Sequence, residues 1–128
     1  MGVQVITGQG VPNNPRPFSP AIRAGDFVFV SGQASVSPEG QIVPDTFEGE
    51  FRRTMAAIEA ILAAAGLSLR HVVQVRSYLA DGKDSAEYNK LYREYFKEPF
   101  PARSTISGCL GNPAIIKFEM DVVAYVHA

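Results

Sequence analysis

The sequence lacks the features of secreted, membrane-spanning and nucleic-acid-binding proteins. Its single cysteine, Cys109, excludes a disulfide within the chain, and no apolar run reaches the length of a signal peptide or a membrane-spanning helix. The 12 Lys and Arg residues are offset by 13 Asp and Glu residues, so no cationic excess would drive non-specific binding to phosphates. We therefore expect a cytoplasmic protein without membrane contact, for which nucleic acid is a poor partner.

Short motifs of several enzyme classes are also missing. There is no Gly-x-Ser-x-Gly turn and no glycine-rich phosphate loop, and His71 and His127 are too far apart in sequence to suggest a local metal site. Each histidine is expected at the surface or at a strand end. Cys109 is expected to be a small residue that is buried or partly buried, because no catalytic signature surrounds it. We expect neither a metal nor a cofactor.

The apolar content that is present suits one compact domain, residues 1–128. A chain of 13.9 kDa buries about two-thirds of its unfolded surface, which is enough for a single hydrophobic core. The segment from Gly8 to Pro20 is rich in Pro, Gly and Asn and is predicted to be irregular. A strand is predicted for residues 27–30, paired in a hairpin with residues 42 and 43 across a turn at residues 38–40.

Periodic apolar residues predict two helices. The first runs from Phe47 to Ala65, with a capping box from Asp45 to Glu48 and Gly66 as its terminator. The second begins at Asp84 or Ser85 and ends before the Glu-Pro pair at residues 98 and 99. Its aromatic stripe is expected to be core, and it consists of Tyr88, Leu91, Tyr92, Tyr95 and Phe96.

Two further strands are predicted at Val72 to Leu79 and at Ile115 to Val126, and the class is α+β. Alternation in the last strand places Glu119 on the same face as Lys117 and Asp121. Two helices cover only one face of such a sheet, so the other face needs a partner or must be polar. The pattern therefore predicts self-association.

A guanidinium and a carboxylate are the candidate chemical groups. Arg103 and Thr105 share one face of a predicted strand, and glycines and a proline between Arg103 and Glu119 would let the two strands double back against each other. This predicts a pocket floor that joins Arg103 to Glu119. A cross-strand ion pair on a solvated sheet explains the same spacing equally well.

Three motifs resemble the RidA family of enamine and imine deaminases, formerly called YjgF/YER057c/UK114. They are the Phe-Pro-Ala-Arg-Ser run at residues 100–104, Phe-Glu-Met at residues 118–120, and Ser-Gly-Gln at residues 31–33. The resemblance extends over nearly the whole chain, from the Pro-Phe pair at residues 17 and 18 through Asn89 to the last two strands. It implies a chorismate-mutase-like mixed β-sheet with two helices on one face, assembled as a homotrimer with a central β-barrel and active sites between subunits.

The resemblance also implies a reaction and a set of site residues. The reaction is hydrolysis of 2-aminoacrylate, 2-iminopropanoate or 2-iminobutanoate to a 2-oxo acid and ammonia. Arg103 would bind the substrate carboxylate through two parallel charge-assisted bonds, and Glu119 would act on water and on the departing nitrogen as general base and acid. The implied substrate-binding residues are Phe18, Ser31, Gly32, Asn89 and Thr105.

Departures from the family pattern keep other functions open. Phe18 stands where the best-studied type has tyrosine, and residues 107–111 replace the usual continuation with Ser-Gly-Cys-Leu-Gly, so the pocket could accept a larger substrate such as 2-aminomuconate. A trimer that binds small carboxylates without turnover, or acts like a chaperone, is a second alternative. Retention of Glu119 favours catalysis, because holding a ligand would require only Arg103. An RNA-cleaving activity is the least favoured, since no basic patch is present.

Overall fold

The computed structural model describes residues 2–128. It has the predicted α+β class, with two short 3-10 turns at Leu69–His71 and Gly82–Asp84. The strands and helices, in chain order, are β1 (Val3–Val5), β2 (Ala21–Ala24), β3 (Phe27–Ala34), α1 (Phe47–Ala64), β4 (Val72–Leu79), α2 (Ser85–Tyr95), β5 (Ala102–Ser107) and β6 (Phe118–Tyr125).

The strands form one mixed sheet in the order β1-β2-β3-β6-β4-β5. Neighbouring strands are antiparallel except for β4 and β5, which are parallel. Parallel neighbours need a crossover connection, and α2 supplies it between the end of β4 and the start of β5. As a result β5 lies at an edge of the sheet, where all six of its residues are exposed.

Both helices lie on one face of the sheet, as predicted. Alternate residues of β6 are buried beneath them, whereas the residues between are only partly buried. The aromatic stripe of α2 belongs to this core, as expected: the Tyr88 ring packs edge-on against Phe51 of α1, with 5.9 Å between ring centroids. The largest fully buried side chains are Tyr88, Phe51, Phe118, Met55, Ile58, Ile61, Leu62, Leu79 and Met120.

The bounds of the helices agree closely with the predictions, but the predicted cap of α1 is wrong. Thr46 is the N-cap, and its Oγ1 accepts a hydrogen bond from the Gly49 N–H at 3.1 Å. Asp45 instead accepts from the Thr46 N–H and forms an ion pair with Arg53 at 2.9 Å. Gly66 follows the helix with a φ of 77°, the left-handed conformation expected of a glycine terminator.

The predicted hairpin pairs different strands from those observed. The strand at residues 27–30 is part of β3, but its hairpin partner is β2, and Gly25 in the connecting turn has a φ of 59°. Ile42 forms only an isolated bridge with Val36, beyond the end of β3. The sequence Ala-Ile-Arg-Ala of β2 contains one β-branched residue, which explains why its strand signal is weak.

The last strand starts three residues later than predicted, because a buried carboxylate binds the chain just before it. Glu50 of α1 is fully buried, and it accepts hydrogen bonds from the Lys117 N–H at 2.8 Å and from the Asp45 N–H at 3.1 Å. The Lys117 ammonium lies 3.6 Å from the same carboxylate. Glu50 thus joins α1 directly to the start of β6, the strand that carries Glu119.

The structure tests the sequence-based expectations for Cys109 and His71. Cys109 is exposed, so the prediction that it is buried or partly buried is wrong; it lies in the loop between β5 and β6, outside the helix-covered core. His71 directly precedes β4, as expected for a strand-end residue, and its Nδ1 accepts a hydrogen bond from the Ser68 N–H at 3.1 Å. Neither α1 nor α2 is apolar enough along its length to cross a bilayer.

Candidate active site

The two predicted catalytic residues lie on strands that are not neighbours. The sequence predicted that these strands double back against each other, but β4 lies between β5 and β6. Arg103 is opposite Val75 on the helix-covered face, whereas Glu119 is opposite Tyr78 on the open face. The prediction of one pocket floor joining them is therefore wrong for a single chain. The alternative ion pair is wrong as well, since within residues 2–128 no salt bridge joins the two side chains.

Arg103 on β5 is held by α2, the helix of the crossover that connects β4 to β5. Its Cζ lies 4.9 Å from the centroid of the Tyr88 ring and 4.8 Å from that of the Tyr92 ring, both within cation–π range. Its Nη2 donates a hydrogen bond to Asn89 Oδ1 at 2.8 Å. Two aromatic rings and an amide therefore orient the guanidinium without neutralising its charge, and Asn89, which the family resemblance assigns to substrate binding, lies beside Arg103.

A shallow cavity opens beside this guanidinium. Its volume is about 200 Å³, and it is lined by Asn89, Tyr92, Arg93, Phe100, Pro101 and Arg103. None of these six lining residues carries a carboxylate. Burial raises the pKa of the Tyr92 hydroxyl to about 12, with Tyr88 beside it adding to the shift, so the tyrosine stays neutral. The cavity therefore has a positive charge and an apolar wall, which suits a small organic anion.

Glu119, the second predicted catalytic residue, lies against the backbone of β3. The register of β3 and β6 shifts between Val30 and Gln33, and Gly32 sits in that irregularity. A Cβ atom on Gly32 would lie 3.1 Å from Glu119 Cδ and closer still to Oε2. The missing side chain of Gly32 therefore makes room for the carboxyl group, as expected where a backbone must be approached closely.

The surroundings of Glu119 favour its protonated form. The residue is half-buried, and burial is the largest cause that raises the pKa of its carboxyl group above the ordinary value. The negative charge of Asp121 raises this pKa further. Among residues 2–128 no side chain donates a hydrogen bond to it, and the Lys117 ammonium pairs instead with Glu50. A carboxyl group whose pKa is raised in this way can exchange protons with a bound molecule.

Asp121 and its neighbours were not singled out from the sequence. Asp121 Oδ1 accepts a hydrogen bond from Arg76 Nε at 2.8 Å, and its Oδ2 accepts from the Tyr78 hydroxyl at 2.7 Å. The bond to Asp121 raises the pKa of Tyr78 to about 12. The polar face of the last strand was the available signal, but the partners on β4 follow only from strand order.

Ser31 and Phe18 lie where β3 meets the N-terminal segment. Ser31 Oγ donates to the Ser19 carbonyl at 2.6 Å, and the Ser31 N–H donates to the Pro20 carbonyl at 2.9 Å. The Phe18 ring is 49 % exposed and lines a second cavity of about 450 Å³ with Ser19 and Pro20. Ser31 thus anchors the segment that carries the Phe18 ring beside the Gly32 irregularity.

One chain therefore carries two separate groups of site residues. We call Arg103, Asn89 and the rings of Tyr88 and Tyr92 the arginine half-site, and we call Glu119, Gly32 and Ser31 the glutamate half-site. Thr105 is on the helix-covered face of β5, two residues beyond Arg103, and its side chain is exposed. The arginine half-site can bind a carboxylate, and the glutamate half-site can transfer a proton. Because they face opposite sides of the sheet, one chain cannot apply both to one small molecule.

Sequence comparison identifies the family. The family described as Endoribonuclease L-PSP, which includes the YjgF and RidA proteins, matches residues 10–126. The chain belongs to this family, and the resemblance stated from its motifs is confirmed.

Two relatives cover nearly the whole chain. A RutC family protein of Pyrococcus abyssi is 40% identical over 126 residues, which cover 98% of each chain. The structure of the Rid-family protein YyfA of Yersinia pestis matches with a TM-score of 0.88 and 30% identity, covering 98% of this chain and 100% of that one. This likeness confirms the sheet with two helices.

Two further relatives have names that bear on function and compartment. An Escherichia coli protein named "putative reactive intermediate deaminase TdcF" is 28% identical over 94% of this chain and 95% of its own. A structure of TdcF with bound serine has a TM-score of 0.82 at 29% identity, covering 95% of this chain and 98% of that one. Protein MMF1, mitochondrial, of Saccharomyces cerevisiae is 35% identical over 84% of this chain and 73% of its own length.

Proposed function

We propose that the protein hydrolyses 2-imino acids and their enamine tautomers to 2-oxo acids and ammonia. The observation that carries the proposal is the pair of half-sites: an oriented guanidinium without a carboxylate partner and a half-buried carboxyl group whose pKa is raised. The small acids 2-aminoacrylate, 2-iminopropanoate and 2-iminobutanoate are the proposed substrates. The name of TdcF, a reactive intermediate deaminase, and its structure with bound serine, a small carboxylate, support this choice.

Arg103 binds the substrate carboxylate. A planar guanidinium can form two parallel charge-assisted hydrogen bonds to a carboxylate, which fixes both position and orientation. The rings of Tyr88 and Tyr92 lie against the guanidinium and hold it before the substrate arrives, so less conformational freedom is lost on binding. Asn89 keeps the guanidinium at the cavity and remains available as a substrate contact.

Glu119 transfers the protons. The imine carbon is electrophilic once its nitrogen is protonated, so water adds to it directly while Glu119 accepts a proton from that water. The product is a carbinolamine with a new carbon–oxygen bond. Glu119 then returns the proton to the nitrogen and accepts the hydroxyl proton of the carbinolamine as the carbon–nitrogen bond breaks, so that ammonia and the 2-oxo acid leave. The reaction needs no covalent enzyme intermediate.

The two half-sites meet between subunits of a homotrimer in this proposal. The arginine half-site of one subunit faces the glutamate half-site of its neighbour, and a ring of three closes because each contact joins different surfaces of the two partners. The open faces of the three sheets then enclose a central barrel. The apolar side chains on that face, including Phe29 at 47 % exposure, support such an assembly.

The remaining predicted site residues complete the proposed pocket. Ser31 and Gly32 shape the wall beside Glu119, and the Phe18 ring covers the substrate from the N-terminal segment. Thr105 offers a hydroxyl group on the same strand face as Arg103. The roles of these four residues and of Asn89 remain proposals that substitution of each residue can test.

We also propose that the protein works in the cytoplasm. The lone, exposed Cys109 suits a reducing compartment. Localisation of the tagged protein tests this, and recovery from mitochondria, the compartment in the name of MMF1, would contradict it.

The experiment is the rate of 2-oxo acid release from 2-iminopropanoate and 2-iminobutanoate, which an amino acid oxidase generates in situ. Wild type should accelerate the release, and Arg103→Ala should lose the acceleration while its circular dichroism spectrum is retained. Arg70→Ala is the matched control, because the Arg70 side chain is exposed and binds only the Ala128 carbonyl. Full activity of Arg103→Ala would contradict the proposed site.

The same assay separates the alternatives. Release from 2-aminomuconate alone would indicate a specialised deaminase with a larger pocket. Binding of small 2-oxo acids without any turnover would indicate a carboxylate-binding or chaperone-like trimer. Cleavage of RNA, the activity in the family description, is disfavoured because the net charge of −1 gives no cationic excess for binding an RNA backbone.

A further inference from the structure

The cavity beside Arg103 contains a second guanidinium. Arg93 lies on α2 and lines the same cavity of about 200 Å³. Its Nη1 donates to the Asn89 carbonyl oxygen at 3.3 Å, while Arg103 Nη2 donates to the Oδ1 of the same asparagine at 2.8 Å. One residue therefore holds both guanidinium groups at the edge of one small cavity.

Neither charge is neutralised by the chain. Within residues 2–128 the ion pairs involve other cations, and no carboxylate lies within 4.0 Å of Arg93 or Arg103. The next residue, Glu94, is already paired with Arg52 of α1 at 3.1 Å. The remaining walls of the cavity are an asparagine and apolar or aromatic residues. The cavity thus carries two positive charges and no negative one.

A monocarboxylate would use only one of these charges. One bidentate guanidinium is sufficient for one carboxylate, and Arg103 is the better oriented of the two because two rings stack on it. The guanidinium of Arg93 then remains without an anionic partner in the same cavity. Two like charges that lie close together repel each other unless a bound anion compensates them. An anion with two carboxylates could contact both guanidinium groups.

We propose that Arg93 is a specificity-determining residue that binds a second carboxylate of the substrate. The preferred substrates are then 2-imino dicarboxylates, the imines of four- and five-carbon acidic amino acids, with Arg103 on the carboxylate next to the imine. This proposal rests on the proposed deaminase function and names its substrate class. The apolar wall of Phe100 and Pro101 would contact the methylene groups between the two carboxylates.

The test compares kcat/KM for 2-iminoglutarate with that for 2-iminobutanoate, both generated in situ by amino acid oxidases. Wild type should prefer the dicarboxylate, and Arg93→Gln should lower this ratio at least about tenfold, the loss expected for one charge-assisted bond. Arg93→Lys should retain part of the preference, because it keeps the charge without the planar fork. Lys90→Gln is the control: it removes a cation from the exposed side of the same helix and should leave the ratio unchanged.

A binding measurement separates this proposal from the deaminase function. Calorimetry should show that 2-oxoglutarate, a 2-oxo dicarboxylate, binds more tightly than 2-oxobutanoate, and that Arg93→Gln removes most of the difference. If wild type binds in this way but hydrolyses neither imine, the Arg93 site stands and the deaminase function fails. If both imines are hydrolysed and the ratio is the same in Arg93→Gln, the deaminase function stands and the Arg93 proposal is overturned.

Discussion

At the scale of single residues, the protein handles its two central charges in opposite ways. Two aromatic rings and an amide orient the Arg103 guanidinium, and none of these neutral groups cancels its positive charge. The charge of Glu119 is disfavoured by burial and by the negative charge of Asp121. Imine hydrolysis requires a fixed cation that binds the substrate and a carboxyl group that can accept and return a proton.

The raised pKa of Glu119 leads to a prediction about pH. As general base Glu119 must be ionised, so kcat/KM should fall as the pH drops through its pKa. Asp121→Asn removes a negative charge that raises this pKa, so the pKa should decrease and the fall in activity should move to lower pH. A pH–rate profile measures the shift. Asp26→Asn, at an exposed aspartate paired only with His127, should leave the profile unchanged, and a shift to higher pH in Asp121→Asn would contradict the assignment.

Gly32 provides a second prediction at this scale. In Gly32→Ala the new Cβ would lie 3.1 Å from Glu119 Cδ and closer to Oε2, so the carboxyl group must move. We expect loss of most of kcat with little change in stability, measured by kinetics and thermal unfolding. Gly82→Ala is the matched control, because a Cβ at Gly82 would meet nothing closer than 3.6 Å. Equal activity of the two variants would show that the close approach has no functional role.

At the scale of elements, the position of Glu119 depends on a contact between α1 and β6. Glu50 accepts backbone hydrogen bonds from Lys117 and Asp45 while fully buried. Glu50→Ala leaves two donors without an acceptor, and each costs about 1–3 kcal/mol. We expect the free energy of unfolding in urea to decrease by about 2–6 kcal/mol, compared at equal protein concentration.

The control for this prediction is Glu59→Ala on the exposed side of the same helix. An exposed glutamate changes stability by no more than about 0.5 kcal/mol. A midpoint of urea unfolding for Glu50→Ala that matches that of Glu59→Ala would contradict the role of Glu50 in joining α1 to β6.

The elements also show which parts of the fold the sequence could predict. Both helices and β4 follow from local periodicity, which reports the buried face directly. β2 was missed because four residues with one β-branched side chain have a weak strand signal. The position of Arg103 relative to Glu119 was wrong for a different reason: parallel pairing of β5 with β4 is a non-local choice, and no local pattern distinguishes it from a hairpin with β6.

Among the site residues too, local sequence motifs identify some, whereas others become apparent only from contacts between distant parts of the chain. Motif resemblance identified Arg103, Glu119 and Asn89, and the structure joins Arg103 to Asn89. Arg93 and Asp121 were not selected as site residues, since their importance depends on which side chains lie beside them in space. Sequence patterns identify the chemical groups of this site better than their partners.

At the scale of the whole molecule, the open face of the sheet is the feature that needs a partner. Phe27, Phe29 and Ile106 are between 41% and 48% exposed on it, and the glutamate half-site opens onto the same side. A sheet face that exposes several large apolar side chains usually marks an interaction surface. Covering the open face with other copies of the chain would bury these side chains and bring each Glu119 toward a neighbouring subunit.

The central claim is that each active site combines Arg103 of one subunit with Glu119 of another, and mixing subunits tests it most directly. Arg103→Ala and Glu119→Gln should each be inactive as homotrimers. Glu119→Gln should fold well, because burial already favours the neutral carboxyl group. A co-refolded equal mixture should regain roughly a quarter of the wild-type rate, the fraction of subunit contacts that pair an intact arginine with an intact glutamate in a closed ring.

A mixture of wild type with the Arg103→Ala, Glu119→Gln double variant is the control. For shared sites it should also show roughly a quarter of the wild-type rate, whereas sites within one chain would give roughly half. Light scattering should give three times the chain mass for every sample, and mass spectrometry should confirm mixed trimers. Mixed trimers of the two single variants that remain as inactive as their parents, or a monomeric protein with full activity, would contradict the account.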